Sequence, residues 1–192
     1  ERHLPLDAPT GPGDWRSFGS ESNLRLAYEH WLKDVPIDAQ HVLPLSFGGA
    51  IGQQVVRFGR AFLALFSGRI DVSVLGVGPD GHVASIFPDH PSMAVDDLCF
   101  AVHDSPKPPR ERISLGLPVL NKADFTFVLA RGEGKAAMLE LAWDGAVELP
   151  ISHVQPDGAL HWILDRSAAS RVMARWTAST PSSEAATGTS HE

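Results

Sequence analysis

The sequence predicts an α/β domain with a Rossmann-like, mostly parallel sheet flanked by helices, and three observations predict it. Extended β-branched runs alternate with helically spaced ones along the chain, the pattern of strand–helix–strand units. The run IDVSVLGVG, residues 70–78, is apolar enough for burial on both faces and ends in glycines, as a parallel strand does before opening into a loop. With 192 residues, 43% of them hydrophobic, the chain can close one substantial core. A single unit over residues 1–176 is expected, followed by a Ser-, Thr-, Ala- and Glu-rich tail over 177–192 that has no apolar period and is expected to be disordered.

In chain order, residues 1–6 read as a strand end, and the Gly- and Pro-rich stretch after them as a loop. Ser22 is a plausible N-cap for NLRLAYEHWLKDV, where Leu24, Ala27, Tyr28, Trp31 and Leu32 recur at helical spacing until Pro36 stops the pattern. HVLPL is a short extended run, and a second helix is expected from about Gly49 to Phe66, weakened by Gly52 and Gly59. IDVSVLGVG is the central-strand candidate. FAVHD, FTFVLARG and LHWILD are the other strand candidates, while VLNKA, GKAAMLELAW and RSAASRVMAR read as helical. In such sheets ligands bind beyond the carboxyl ends of the strands.

Composition excludes several classes. The one cysteine, Cys99, rules out an intrachain disulfide framework and fits a reducing, cytoplasmic setting. No apolar run is long enough to span a bilayer, and the first residues lack the pattern of a signal peptide, so a soluble protein with no membrane partner is expected. A formal charge of −7 argues against nucleic acid as a partner and requires that any anionic ligand be held by a local basic cluster. No internal repeat is visible.

The segment LGVGPDGHVASIFPD, residues 75–89, carries most of the chemistry. Gly76, Gly78 and Gly81 let the backbone turn tightly and approach a ligand, and VASIF reads as a short helix whose N–H groups would attract an anion or a developing oxyanion. His82 stands at that mouth, where an imidazole titrating near neutrality can take a proton from a water attacking a carbonyl, with Asp80 to orient the ring. An isolated glycine pattern of this kind reads rather as an ordinary strand-to-helix turn with a solvated histidine. A dinucleotide site is disfavoured, because Pro79, Asp80 and His82 would crowd a pyrophosphate and Pro88 stops the helix early. Asp80, His82, Asp89 and His90 follow no zinc spacing, so no metal site is expected. Ser85 lacks the G-x-S-x-G context of a nucleophile.

A second segment, DSPKPPRER, residues 104–112, gathers Lys107, Arg110 and Arg112 on a loop stiffened by three prolines. A preorganised cationic loop suits a phosphate. Taken alone it reads rather as a solvated connector. Gly132-Glu-Gly-Lys135 lacks the Walker spacing, and Lys135 is expected at an exposed helix start.

Four stretches together resemble the 6-phosphogluconolactonase family, of the glucosamine-6-phosphate isomerase/6-phosphogluconolactonase superfamily. Glu1-Arg2 with Leu4-Pro5-Leu6-Asp7 is similar to the end of its D-E-R-x-V-P-x-D motif, and Ser22-Asn23 to its later S-N pair. LGVGPDGHVASIFP matches L-G-M-G-P-D-G-H-T-A-S-L-F-P almost position for position. DSPKPPRERISLGLPVLNKA is close to S-P-K-P-P-x-R-I-T-L-x-L-P-x-L-N-x-A; GEGKA, LPISHV and LHWILDRSAA add support. The resemblance implies hydrolysis of 6-phosphogluconolactone to 6-phosphogluconate in the oxidative pentose phosphate pathway, with no metal or organic cofactor. It makes His82 the general acid/base, Arg2 and Lys107 the phosphate anchors, Arg112 a helper, and Asp80 with Gly76, Gly78 and Gly81 the frame of the site.

Two departures accompany that resemblance. The family carries further strands and a Gly-Gly loop ahead of the position of Glu1, so a chain lacking them is expected to be weakly active or to self-associate across an open sheet edge. Gly11 to Gly19 form an insertion near the site. The rival readings are a non-catalytic sugar-phosphate-binding domain and, less favoured, a glucosamine-6-phosphate deaminase, whose loop would read D-G-H-I-A-F-N-E-P where this chain has Ala84-Ser85-Ile86-Phe87-Pro88.

Overall fold

A computed structural model describes residues 22–38, 41–45 and 49–173. The expected strand end at 1–6, the Gly11–Gly19 insertion, Arg2 and the tail over 177–192 lie outside the described residues.

The first helix, α1 (Asn23–His30), starts where expected: Ser22 is extended, and its Oγ accepts the Arg25 N–H at 3.4 Å. It ends sooner than its apolar spacing suggests, passing through Trp31 into a 3-10 turn at Leu32–Asp34. The second, α2 (Ile51–Phe66), buries Phe58, Ala61 and Phe62 and closes on Ser67 in the left-handed region, φ 54°. Strand β1 (Ile70–Gly76) follows, then β2 (Cys99–Val102), β3 (Arg112–Leu115), the single turn α3 (Leu117–Leu120), β4 (Ala123–Ala130), α4 (Ala136–Trp143) and β5 (Ala159–Leu164). Residues 170–173 are again helical.

The sheet is parallel, in the order β1-β4-β5, with Ile70 beside Ala123, Gly76 beside Leu129, Phe125 beside Ala159 and Ala130 beside Leu164. All three strands therefore end together. Among the described residues β1, expected at the centre, lies at an edge, and β4 takes the centre. A continuous apolar run does not by itself distinguish two-sided from one-sided burial. In β1, Ser73 and Leu75 are buried while Val72 and Val74 are exposed, as are Phe125, Leu129 and Ile163, which the register places on the same face. The opposite face carries the main core, where Leu75 and Val128 meet Val83, Ile86, Phe100, Val102, Leu120 and Met138.

The chain also forms a two-stranded antiparallel ribbon apart from the parallel sheet, pairing Cys99 with Leu115 and Val102 with Arg112. Its second strand, RISL, was hidden behind the charged motif that precedes it. The ribbon turns the basic segment into a hairpin connection between β2 and β3, and Cys99 of the ribbon packs in one cluster with Phe58 and Phe62 of α2 and Val119 of α3.

Candidate functional site

Strand β1 delivers the chain to a locked turn. Gly78 donates its N–H to the His82 carbonyl at 2.8 Å, and Gly81 donates to the Gly78 carbonyl at 3.1 Å. Gly78 has no alternative here, since a Cβ on it would occupy the space of the His82 ring and the Asp80 carboxylate. Gly81 takes φ +81°, and a side chain there would also press on Leu149. Gly76 has open space around it.

The expected helix over VASIF does not form. Val83 bridges to Val77 and to Ile86, Ala84 adopts φ 49°, and Val83 and Ile86 exchange backbone hydrogen bonds at 3.3 and 2.9 Å across a tight turn. Val83, Ile86 and Phe87 have helical spacing, yet Pro88 cannot donate to continue a helix and the bridges take Val83's backbone. Their side chains are 0–1% exposed and anchor the turn in the core. No helix N-terminus therefore faces a ligand at His82.

At the mouth, His82 Nδ1 lies 2.6 Å from Asp80 Oδ1, Lys107 Nζ lies 2.8 Å from Asp80 Oδ2, and Lys107 Nζ is 3.2 Å from His82 Nδ1. The carboxylate can only accept, so Nδ1 carries the proton and donates it to Asp80; the Lys107 ammonium belongs to the other carboxylate oxygen. That leaves the lone pair on Nε2. Burial would raise the Asp80 carboxyl, but hydrogen bonds from Lys107 and His82 outweigh it and hold Asp80 well below the usual carboxylate range. Burial lowers His82, the Asp80 charge opposes that, and the cations Lys107 and Arg112 push it down further, for a net value below the ordinary 6.5. The ring stacks at a tilt on Phe87, 5.0 Å between centroids.

The basic loop folds on itself. Ser105 donates its N–H to the Arg110 carbonyl at 3.0 Å and its hydroxyl to the Lys107 carbonyl at 2.7 Å. Arg112 donates to the carbonyls of Lys107, Pro108 and Pro109 at 3.0, 2.7 and 3.0 Å, with its guanidinium 5.5 Å above the Phe87 ring. Its fork thus shapes the loop that presents Lys107. Arg110 is exposed.

A third cation was missed by sequence reasoning. Lys135, expected on an exposed helix start, ends a 3-10 turn (Glu133–Lys135) beyond β4 and donates from Nζ to the Val77 carbonyl at 2.7 Å. Burial and the neighbouring Lys107 lower its pKa, with Asp80 opposing. The signal was its place just after a strand's carboxyl end, not its spacing from glycines. Asp165, just after β5, secures that turn by accepting the Gly132 N–H at 3.1 Å. Beside the cluster opens a cleft of about 1000 Å³, lined among others by Ser22, Asn23, Ser85, Pro108, Pro109 and Arg112. Ser85 is buried, and its N–H donates to Ser114 Oγ at 3.0 Å. Among the described residues no three His, Cys, Asp or Glu side chains gather as metal ligands would.

Residues 17–162 match the family described as glucosamine-6-phosphate isomerases/6-phosphogluconolactonase. The 6-phosphogluconolactonase of Rattus norvegicus is 40% identical over 189 residues, spanning 88% of this chain and 74% of that protein. That of Homo sapiens is 39% identical over 158 residues, spanning 78% of this chain but 61% of its own length. Among solved structures, the 6-phosphogluconolactonase of Thermotoga maritima superposes with a TM-score of 0.71 at 27% identity, covering 85% of this chain and 69% of that one. The chain belongs to the glucosamine-6-phosphate isomerase/6-phosphogluconolactonase family.

Proposed function

We propose that this chain is a 6-phosphogluconolactonase, hydrolysing 6-phospho-D-glucono-1,5-lactone to 6-phosphogluconate in the oxidative pentose phosphate pathway. The observation that carries the reading is the Asp80–His82–Lys107 cluster: an imidazole held in one tautomer by a carboxylate, with an ammonium beside it. His82 Nε2 takes a proton from water as the water oxygen bonds to the lactone carbonyl carbon. The tetrahedral intermediate then expels the ring oxygen, and the imidazolium returns the proton to it, leaving a carboxylic acid that ionises and a free hydroxyl. Asp80 steadies the imidazolium and stays ionised throughout. In this reading Lys107 and Lys135 neutralise the substrate's phosphate, and Arg2 is a further anchor. A lowered His82 pKa keeps the base form present at neutral pH.

The setting proposed is cytoplasmic and the partner a phosphorylated sugar lactone. No helix among the described residues is long and apolar enough to cross a membrane. Self-association through the edge of β1, which has no outer strand partner among the described residues, belongs to the same reading, and a concentration-independent monomer in sedimentation would remove it. The deciding assay compares opening of 6-phosphogluconolactone, of the unphosphorylated lactone and of glucosamine 6-phosphate, each corrected for spontaneous reaction. Rapid turnover of the first alone supports the proposal. Deamination of the third would transfer the site to the other branch of the family, and binding of 6-phosphogluconate without turnover would make the chain a sugar-phosphate-binding domain.

A further inference from the structure

The Asp80–His82–Lys107 cluster is assembled from two loops that meet only through side chains, the His82 turn after β1 and the basic hairpin between β2 and β3. Something must hold them in register. His90 stands between them. Its side chain is 15% exposed, and its Nδ1 accepts the Ser92 N–H at 3.1 Å and lies 2.9 Å from Ser92 Oγ. Accepting there requires a lone pair on Nδ1, so the ring proton sits on Nε2. That nitrogen donates to Asp104 Oδ1 at 3.0 Å, across fourteen positions of sequence.

Each end of this link is tied to a functional loop. Ser92 Oγ accepts the Phe87 N–H at 3.0 Å, and the Phe87 ring touches both imidazoles, 5.0 Å from His82 and 5.9 Å from His90. Asp104 immediately precedes Ser105, whose N–H and hydroxyl fix the conformation of the segment that presents Lys107. Capping the 3-10 turn at Pro91–Ala94 explains the Nδ1 bond. It does not explain the Nε2 bond to a residue on another loop.

We infer that His90 and Asp104 are positioning residues, a side-chain clamp that docks the basic hairpin on the His82 turn so that Lys107 meets Asp80 and the substrate's phosphate. This rests on the proposed reading of the cluster as the phosphate-recognising reaction site. Neither residue touches the reacting atoms. Losing the clamp therefore weakens recognition of the phosphorylated substrate and leaves the His82–Asp80 pair, which lies within one loop, nearly untouched. Asp104 is the better handle, because its side chain is 68% exposed and its replacement leaves no cavity.

The test uses Asp104→Ala, Asp104→Asn and His90→Phe in the full chain, with two readouts. Steady-state lactone opening should show KM for the phosphorylated lactone raised about three- to fivefold by Asp104→Ala, with kcat within about twofold. Asp104→Asn, whose amide oxygen still accepts from Nε2–H, should stay close to the parent. His90→Phe, which keeps the ring against Phe87 but loses the bonds, should raise KM about tenfold. The second readout is independent of catalysis: trypsin cleavage after Arg110, followed by mass spectrometry, should accelerate in Asp104→Ala and His90→Phe but not in Asp104→Asn. A parent protein that opens no lactone would overturn the proposed function while the cleavage rates still judged the clamp. Parental KM and cleavage rates in Asp104→Ala, or a fall in kcat at constant KM, would overturn the clamp itself.

Discussion

The two loops that build the candidate site are stabilised in opposite ways. The His82 turn is anchored downward: Val83, Ile86 and Phe87 are almost wholly buried, and Gly78 and Gly81 leave no room for a side chain. The basic hairpin is anchored sideways, through carbonyls gathered by Arg112 and Ser105 and through side-chain links to the first loop, while Arg110 and Glu111 remain in solvent. On the proposed reading the first loop places one base with little freedom, as proton transfer demands. On that reading the second presents Lys107, paired with Asp80 at 2.8 Å, to the substrate's phosphate. Catalytic rate and substrate affinity are thereby assigned to different segments, and mutations should separate them.

The largest effect is expected at His82. His82→Ala should lower kcat for lactone opening by roughly two to four decades with little change in thermal stability, because the turn is held by its apolar anchors rather than by the ring. Turnover equal to the parent's after subtraction of spontaneous hydrolysis would remove the base assignment. Gly78→Ala tests the rigidity of the same loop. Its methyl group displaces the ring or the Asp80 carboxylate, and a displacement of that order should cost roughly a hundredfold in kcat. A fully active Gly78→Ala enzyme would mean that the turn is less constrained than its geometry indicates.

Lys107→Ala should act mainly on KM, raising it roughly ten- to a hundredfold for the phosphorylated lactone, the range expected for a hydrogen bond to a charged group. The unphosphorylated lactone should be much less affected. Since the Lys107 charge is one of the causes that lower His82, its removal should also move the acid limb of the pH profile upward. Equal losses on both lactones would show that Lys107 does not read phosphate.

Much of this division was legible in the sequence. The glycines and His82 lie in one run, whereas the charged, proline-stiffened segment reads alone as a solvated connector and gains a phosphate role only through the family resemblance. What was not legible depended on tertiary pairing. IDVSVLGVG looks the same whether one or two neighbours cover it, and among the described residues β1 has a strand neighbour on one side only. The helical spacing of Val83, Ile86 and Phe87 was real, but it served a turn bridged to Val77. Lys135 reaches the site only because β1 and β4 are adjacent and end in register, which no local pattern encodes. The role of Arg112 in folding its own loop likewise depends on carbonyls presented by three successive residues, Lys107, Pro108 and Pro109 on one hairpin.

In the proposed mechanism His82, oriented by Asp80, is the group whose neutral form drives the reaction. The pH dependence of kcat/KM for 6-phosphogluconolactone, measured side by side in the parent and in His82→Ala, reads that group directly. Its lowered pKa means that the base form persists to more acidic pH than for a free imidazole, so the parent's acid limb should fall with a midpoint below 6.5. In His82→Ala the residual rate should lose that limb. An acid limb at the same midpoint in both proteins would assign the titration to another group and contradict the account.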